Sequence, residues 1–241
     1  GRLQFNEDTV WTGTPHEYQH EGAVKFLPQI RQLLFDGKQK EAEDLAMLEF
    51  MSVPLRQQQY QAFGDLRMHF AGHTNVTDYR RELDLETAVT KVSYRVGDVA
   101  HARQAFSSFP DQVTVWRVSA SQPGQVSFTA RLDSPHQDVK TAARGRDQLA
   151  LTGQVQEGGI KFEARLRVVA AGGKVTVTDD AIVVEGADST ILVLAGATNF
   201  KNFQDVSADP AKRCEQVLKS VSGKSFVALF KTHVADHKRL F

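Results

Sequence analysis

The 241-residue chain carries 29 basic and 29 acidic side chains, and this balance removes any electrostatic argument for a nucleic-acid partner. Its longest apolar runs, such as residues 182–184 and 191–195, are far too short to span a bilayer. The single cysteine, Cys214, excludes an intramolecular disulfide, and its position in a helical pattern predicts a small core residue.

The first notable feature is the stretch LQFNEDTVWTG at residues 3–13, in which three polar residues separate Phe5 from Trp11. A solvent-exposed leader does not need aromatic side chains, and a buried strand would not tolerate adjacent acids. The composition therefore indicates a site or an interface close to the start of the chain.

The segment HEYQH, residues 16–20, matches the zinc-binding pattern H-E-x-x-H. That pattern requires a regular helix and a third ligand further along the chain. Gly13 and Pro15 precede the segment and Gly22 follows it, so a stable helix is not expected. A loop or single helical turn with exposed polar side chains is favoured over a metal site.

Residues 22–51 have the pattern of a helical hairpin that either lines an interface or covers a sheet. Gly37 ends the first helix, and Pro54 follows the second. The apolar residues that recur at three- and four-residue steps are Val24, Leu27, Ile30, Leu34, Ala42, Leu45 and Leu48.

From about residue 63 the hydrophobic period changes from 3.6 to 2, which is typical of strands with one exposed face. The alternation is strict at residues 125–132 and 160–168, and it predicts that Glu163 and Arg165 face solvent. About eleven short strands separated by turns predict a sandwich or a barrel, and the length favours two large packed sheets. The other predicted strands cover 64–70, 78–85, 88–96, 99–108, 112–120, 148–154, 174–178, 181–185 and 190–195.

The chain ends in two predicted helices. Asp209 and Pro210 form a cap and first-turn pair, and Gly223 ends the first of these helices. The second runs from Ser225 to Phe241 with its apolar residues still recurring, so we expect it to lie inside a longer protein.

The sequence does not contain a complete set of catalytic motifs. The chain has no G-x-S-x-G elbow and no phosphate-binding glycine loop. His233 and His237 lie four residues apart on the last predicted helix, where contacts with neighbouring polar groups are favoured over a metal. Most strand carboxylates, as in RRELDLET at 80–87, are predicted to face solvent.

Five segments, in order along the chain, resemble glycoside hydrolase family 95, which contains α-L-fucosidases and some α-L-galactosidases. They are LQFNEDTVWTGTP at 3–15, YQAFGDLRMHF at 60–70, YRRELDLETAVTKVSYRVGDVAHARQAFSSFPDQVTVWRVSA at 79–120, ADSTILVLAGATNFKNFQDVSADP at 187–210 and HVADHKRLF at 233–241.

The resemblance implies a mainly β fold, a two-sheet antiparallel β-supersandwich over residues 1–205 with the helical hairpin near its start. Linker helices over 206–241 would then lead to an (α/α)6 catalytic barrel. In that family a glutamic acid is the general acid, and an aspartate-activated asparagine positions water for inversion. By resemblance these residues lie beyond Phe241, so no catalytic residue is assigned here and no cofactor is expected. The family's domain usually starts earlier, with G-N-G-R-[LM]-G, so one or two missing strands and an exposed sheet edge are expected.

By the same resemblance, Asn6, Glu7, Asp8, Thr9 and Trp11 are the candidates for substrate or interdomain contact. In the functional reading, this loop faces the barrel near its sugar cleft. In the local alternative, Asn6 and Asp8 hydrogen-bond turn backbone while the flanking aromatics pack beneath them. Packing is favoured over sugar stacking for Trp11.

Three functions remain open. The favoured one is the non-catalytic amino-terminal domain of an inverting, exo-acting α-L-fucosidase. Its partners would be the barrel of the same polypeptide and, through that barrel, fucosylated oligosaccharides. The protein would be secreted or periplasmic, and neither a metal ion nor a nucleic-acid partner is expected. A stand-alone carbohydrate-binding module would instead present a row of exposed aromatics, and a disaccharide phosphorylase of the same plan would place a phosphate site in its barrel.

Overall fold

The computed structural model describes residues 1–56, 58–136 and 138–241, which form a two-sheet sandwich flanked by helices. Its strands are β1 (Arg2–Phe5), β2 (Gly64–His69), β3 (Val76–Asp84), β4 (Val89–Val96), β5 (Val99–Ser108), β6 (Val113–Ala120), β7 (Val126–Asp133), β8 (Lys140–Arg144), β9 (Gln148–Gln154), β10 (Lys161–Ala171), β11 (Lys174–Val177), β12 (Ile182–Ala187) and β13 (Ser189–Thr198). Its helices are α1 (Leu27–Phe35), α2 (Gln39–Glu49), α3 (Pro210–Ser220) and α4 (Phe226–Leu240), with a 3₁₀ turn at Ala23–Phe26.

The two sheets are antiparallel and differ in size. The smaller sheet has the order β1-β2-β7-β12-β11, and the larger has the order β3-β4-β5-β6-β13-β10-β9-β8. The longest pairing joins β10 to β13, from Phe162 opposite Thr198 to Ala171 opposite Ser189. The predicted mainly β, two-sheet antiparallel fold is confirmed.

The main core lies between the two sheets. Strand β7 alternates buried and more exposed side chains, as its sequence predicts, and Phe128 and Ala130 are both at most 3% exposed. They share one apolar cluster with Phe162 and Leu166 of β10 in the other sheet. Each large side chain buried in this way contributes roughly 1.5–3 kcal/mol, so the period-2 pattern is the main source of stability.

The outer face of β10 is a correction to the sequence prediction, because Glu163 and Arg165 are only 3% and 9% exposed. Helix α3 packs across β10 and β13 on the outer side of the larger sheet. The Arg165 guanidinium donates to the Glu163 carboxylate, and the Cys214 thiol donates to the Glu163 carbonyl oxygen at 3.1 Å. This face of β10 would be exposed to solvent in an isolated sheet, but it is covered by helix α3, which follows about fifty residues later in the chain.

Strand positions otherwise follow the predictions within a few residues. The exception is β8, Lys140–Arg144, which was not predicted. It pairs only with β9 at the edge of the larger sheet, where its side chains are exposed or half-buried. An edge strand has no apolar alternation to reveal it because neither of its faces is fully buried.

The predicted helical hairpin is present as α1 and α2, but much of its apolar surface is exposed. Ile30 and Ala42 are the buried residues of the two helices, whereas Phe35 is 83% and Leu48 is 69% exposed. The two helices pack against each other and against the 3₁₀ turn. Among the described residues, no helix is long and apolar enough to cross a membrane.

Candidate functional site

The loop after β1 is fixed by a short antiparallel contact with the segment before β2. The Gln61 amide donates to the Val10 carbonyl oxygen at 2.9 Å, and the Thr12 amide donates to the Gln59 carbonyl oxygen at 2.9 Å. The Val10 side chain is fully buried. The apolar residue within NEDTVW therefore anchors the loop, and the polar residues before it form the turn.

Glu7 and Asn6 provide the polar contacts of this turn. One carboxylate oxygen of Glu7 accepts hydrogen bonds from the amide and hydroxyl of Thr9, at 2.8 and 2.7 Å. The side-chain oxygen of Asn6 accepts from the Phe63 amide at 3.4 Å. The local alternative expected Asn6 and Asp8 to bond backbone, and Glu7 takes the role expected of Asp8, which is exposed.

Burial raises the pKa of the Glu7 carboxyl above its ordinary value, and the neighbouring Asp8 charge raises it further, while the Thr9 hydrogen bonds oppose the shift. The Thr9 hydroxyl also hydrogen-bonds the Thr198 hydroxyl at the end of β13. This contact ties the first loop of the chain to the last strand of the larger sheet.

Trp11 lies on the surface, which corrects the expectation that it packs beneath the loop. The residue is 43% exposed, its indole N–H donates to the Asp8 carbonyl oxygen at 2.8 Å, and its ring centroid lies 5.3 Å from that of Tyr60. Phe5, by contrast, is buried, with its ring centroid 5.1 Å from that of Phe63. The two aromatics that flank the polar residues therefore have different roles, Phe5 in the core and Trp11 at the surface.

A cavity of about 490 Å³ opens beside Trp11, and we call it the Trp11 pocket. Three separate parts of the chain and Ile160 form its walls: the loop after β1, the segment before β2, and the loop between β13 and α3. Its lining residues are Asp8, Thr9, Trp11, Thr12, Gly13, Thr14, Pro15, Tyr18, Ser52, Arg56, Gln58, Ile160, Phe200, Phe203 and Val206.

The five predicted site residues do not all meet at this pocket. Asp8, Thr9 and Trp11 line it, whereas Asn6 and Glu7 line a different cavity of about 280 Å³ next to the β5–β6 turn. The chain turns between Glu7 and Asp8, so Asn6 and Glu7 face one cavity while Asp8 and Thr9 face the other.

Several polar groups of the Trp11 pocket are already hydrogen-bonded within the protein. The Gln58 amide donates to the Tyr18 hydroxyl at 3.0 Å and accepts from the Thr12 hydroxyl at 3.1 Å. The Thr12 hydroxyl in turn accepts from the Gln59 amide at 2.8 Å. These hydrogen bonds fix the polar wall of the pocket. At its opening, Trp11 and Phe203 provide apolar surface, because they are 43% and 62% exposed.

The sequence reasoning did not identify Phe200, Phe203 and Val206 as partners of the Trp11 loop. The signal available was NFKNFQDV at 199–206, which places aromatics among polar residues just as NEDTVW does. It could not indicate that the two loops meet, because their contact depends on the pairing of β13 with β10.

The HEYQH segment lies in a loop, not in a helix. One ring nitrogen of His16 lies 3.0 Å from the Val53 carbonyl oxygen, and one of His20 lies 3.2 Å from the Met51 carbonyl oxygen. In the described ranges, no group of three or more histidine, cysteine or carboxylate side chains is arranged to hold a metal. The two histidines therefore attach this loop to the exit of the hairpin.

The arrangement suits binding better than catalysis. Inverting glycosidases place two carboxyl groups on opposite sides of one scissile bond, roughly 6.5–9.5 Å apart. Here the adjacent carboxyl groups of Glu7 and Asp8 line different cavities. The pocket instead combines an apolar floor, exposed aromatic edges and a fixed polar wall, which is the composition of a docking or ligand-binding surface.

A family model described as "Glycosyl hydrolase family 65, N-terminal domain" matches residues 1–203 of the chain. Alpha-L-fucosidase 2 of Arabidopsis thaliana is 35% identical over an alignment of 270 residues, which covers 99% of this chain and 32% of that protein. Proteins named "Probable alpha-fucosidase A" are 27% identical in Aspergillus niger and 22% identical in Aspergillus oryzae. The chain spans about a third of the length of these relatives, 32–35%.

Proposed function

The chain belongs to the family of glycosyl hydrolase family 65 N-terminal domains, and from this we propose that it is the non-catalytic amino-terminal domain of an inverting, exo-acting α-L-fucosidase. The observation that carries the proposal is the match to alpha-L-fucosidase 2, which extends over 99% of the chain at 35% identity. The resemblance of the five sequence segments to family 95 agrees with the names of these relatives.

In the proposed enzyme, this domain braces an (α/α)6 catalytic barrel formed by a later part of the same polypeptide. The lengths of the relatives support this, because a protein three times as long has room for such a domain. Glu7 and Asp8 are close enough for the Asp8 charge to raise the pKa of Glu7, yet they line different cavities and so do not face each other across one bound sugar, which supports a role in positioning instead of chemistry. The general acid and the water-positioning asparagine would lie in the barrel.

The test compares the 241-residue chain with the complete enzyme on an α-1,2-fucosylated oligosaccharide, with released fucose measured over a day. We expect the complete enzyme to release fucose with inverted configuration and the chain alone to release none. Fucose release by the chain alone, surviving repurification, would contradict the proposal.

The same assay separates the alternatives. If sugar phosphate forms, and only when inorganic phosphate is present, the complete enzyme would be a disaccharide phosphorylase with the same domain arrangement and not a fucosidase. Saturation transfer from the isolated chain to the oligosaccharide, without release, would favour a carbohydrate-binding module.

We also propose that the enzyme is secreted or periplasmic, where it would meet fucosylated oligosaccharides outside the cytoplasm. Fractionation of the source cells with an antibody against this chain tests the location. Recovery of the complete enzyme in the cytoplasmic fraction alone would contradict it.

A further inference from the structure

We propose that the Trp11 pocket is the socket into which the catalytic part of the same polypeptide inserts an apolar side chain when the two domains dock. This inference rests on the proposed function and adds to it the surface used and the chemistry of the contact. The occupant is thus a segment of protein and not a sugar.

The first support is the character of the pocket. Its floor and opening contain Trp11, Ile160, Phe200, Phe203 and Val206, and it encloses about 490 Å³. Protein interfaces concentrate their binding energy where a large apolar side chain of one partner fills such a pocket and water is excluded around it.

The second support comes from the polar groups. A sugar ring is held by several hydrogen bonds to its hydroxyl groups, which need polar side chains with free donors or acceptors. The amide of Gln58 and the hydroxyl of Thr12 bond each other, and the Trp11 indole N–H is held by the Asp8 carbonyl oxygen. The side chains of Gln58, Thr12 and Trp11 are therefore already engaged within the protein, and the exposed Asp8 and Arg56, which also line the pocket, suit charged contacts at the polar rim of a protein interface.

The third support is the exposed apolar surface around the opening. Phe203 is 62% and Trp11 is 43% exposed, and the adjoining segment exposes Val53 at 50% and Leu55 at 41%. Grouped exposure of large apolar side chains marks interaction surfaces more often than single exposed residues do. The matched relatives have about twice this chain's length of additional polypeptide, which provides a partner for this surface.

Hydrogen exchange measured on the complete enzyme tests the docking. Amides of residues 9–18, 50–56 and 200–206 should exchange about ten-fold or more slowly in the complete enzyme than in the isolated chain, because a docked partner covers them. Residues 76–86 around β3, which line no part of this pocket, should be unchanged. Equal exchange of the three pocket segments in both proteins would overturn the inference.

A matched pair of variants makes the test specific. Phe203→Asp should abolish the added protection in the complete enzyme, whereas Leu83→Asp, at a site that is 57% exposed on the edge strand β3, should keep it. Both side chains are exposed, so both variants of the isolated chain should melt as the parent does, which verifies folding. Protection that survives Phe203→Asp would contradict the proposal.

The remaining outcomes identify other occupants. Protection that appears only when the fucosylated oligosaccharide is added would assign the pocket to sugar, and protection of the isolated chain that rises with its concentration would assign it to a second copy.

Fucosidase activity in the same samples separates the two proposals. Activity without protection refutes only the socket, and protection without activity refutes only the fucosidase.

Discussion

At the scale of single residues, NEDTVW distributes its side chains between two surfaces. Glu7 turns inward to bond Thr9, Asp8 is exposed, and Trp11 lies against Tyr60 at the opening of the pocket. An acidic pair of this kind costs stability because the inner carboxyl loses hydration beside a second negative charge.

Replacing Glu7 by glutamine should stabilise the isolated chain at neutral pH. The pKa of Glu7 is raised by burial and by Asp8, so this group's contribution to stability is complete below its unfolded pKa and is lost as pH rises through the folded value. Glutamine keeps an oxygen acceptor for Thr9 and removes that loss. Melting temperatures at pH 4 and pH 7 check this, with the exposed Glu86→Gln as control. An advantage of Glu7→Gln that is equal at both pH values would contradict the assignment.

Cys214 should be unreactive in the folded protein. Burial raises the pKa of its thiol to about 12, so almost no thiolate is present at pH 8. We expect no reaction with a disulfide reagent under native conditions and one thiol per chain after unfolding in guanidinium chloride. Rapid reaction of the native protein would show that helix α3 opens readily from the sheet.

At the scale of elements, the helices carry two kinds of apolar surface. One face of α3 and of α4 is covered, because Leu218, Phe226 and Leu229 form a second core with Phe106 and Val193 of the larger sheet, although Val227 and Leu240 of α4 remain exposed. The hairpin of α1 and α2 is only partly covered, and Phe35 and Leu48 remain exposed. The sequence expectation left open whether the hairpin covers a sheet or lines an interface, and its exposure favours the interface.

The cap of α3 provides a stability prediction at this scale. The Asp209 carboxylate accepts from the Lys212 amide at 3.1 Å, and Pro210 occupies the first helical turn. Asp209→Ala should destabilise the chain by about 1 kcal/mol, lowering its melting temperature by about 2–4 °C. Glu215→Ala, in the same helix with the cap intact, is the control in thermal unfolding. Equal effects of the two substitutions would show that the cap contributes nothing.

At the scale of the whole molecule, two antiparallel sheets of unequal size bring distant segments to one surface. The β10–β13 pairing carries the Phe200–Val206 loop to the Trp11 loop, and the Thr9 and Thr198 hydroxyls bond although they are 189 positions apart. This meeting of loops forms the Trp11 pocket. The sandwich serves as a rigid support, and the candidate site lies on the loops at its edge.

Asp8→Ala should act at this scale, in the complete enzyme. Asp8 is exposed beside the Trp11 pocket and its charge lies next to Glu7, so its loss should leave the isolated chain at least as stable as before at neutral pH while impairing fucosidase activity or domain docking. Steady-state kinetics and thermal melting of the complete enzyme check this, with Asp98→Ala as control. If the Asp8→Ala enzyme has unchanged kinetics and an unchanged melting temperature, the loop is not part of the domain interface.

The sequence by itself determined the elements of this protein and their fold class. Alternation in β7, the three- and four-residue steps of the hairpin and the Asp209–Pro210 cap are local patterns, because each records burial on one side of a single element or bonding within one turn. Local patterns of this kind predict a sandwich or a barrel with helical regions at both ends, and the resemblance to family 95 adds the two antiparallel sheets. The structure confirms the two sheets and the helical regions.

The tertiary structure alone decided how surfaces are covered and where the site lies. Glu163 and Arg165 are buried because α3 packs over them, and Trp11 is exposed because its loop pairs with the Tyr60 segment and not with a sheet. The Trp11 pocket exists because loops far apart in sequence meet. Such contacts depend on which strands lie side by side, and the alternation of one strand specifies the face that it buries but not the strand that lies next to it.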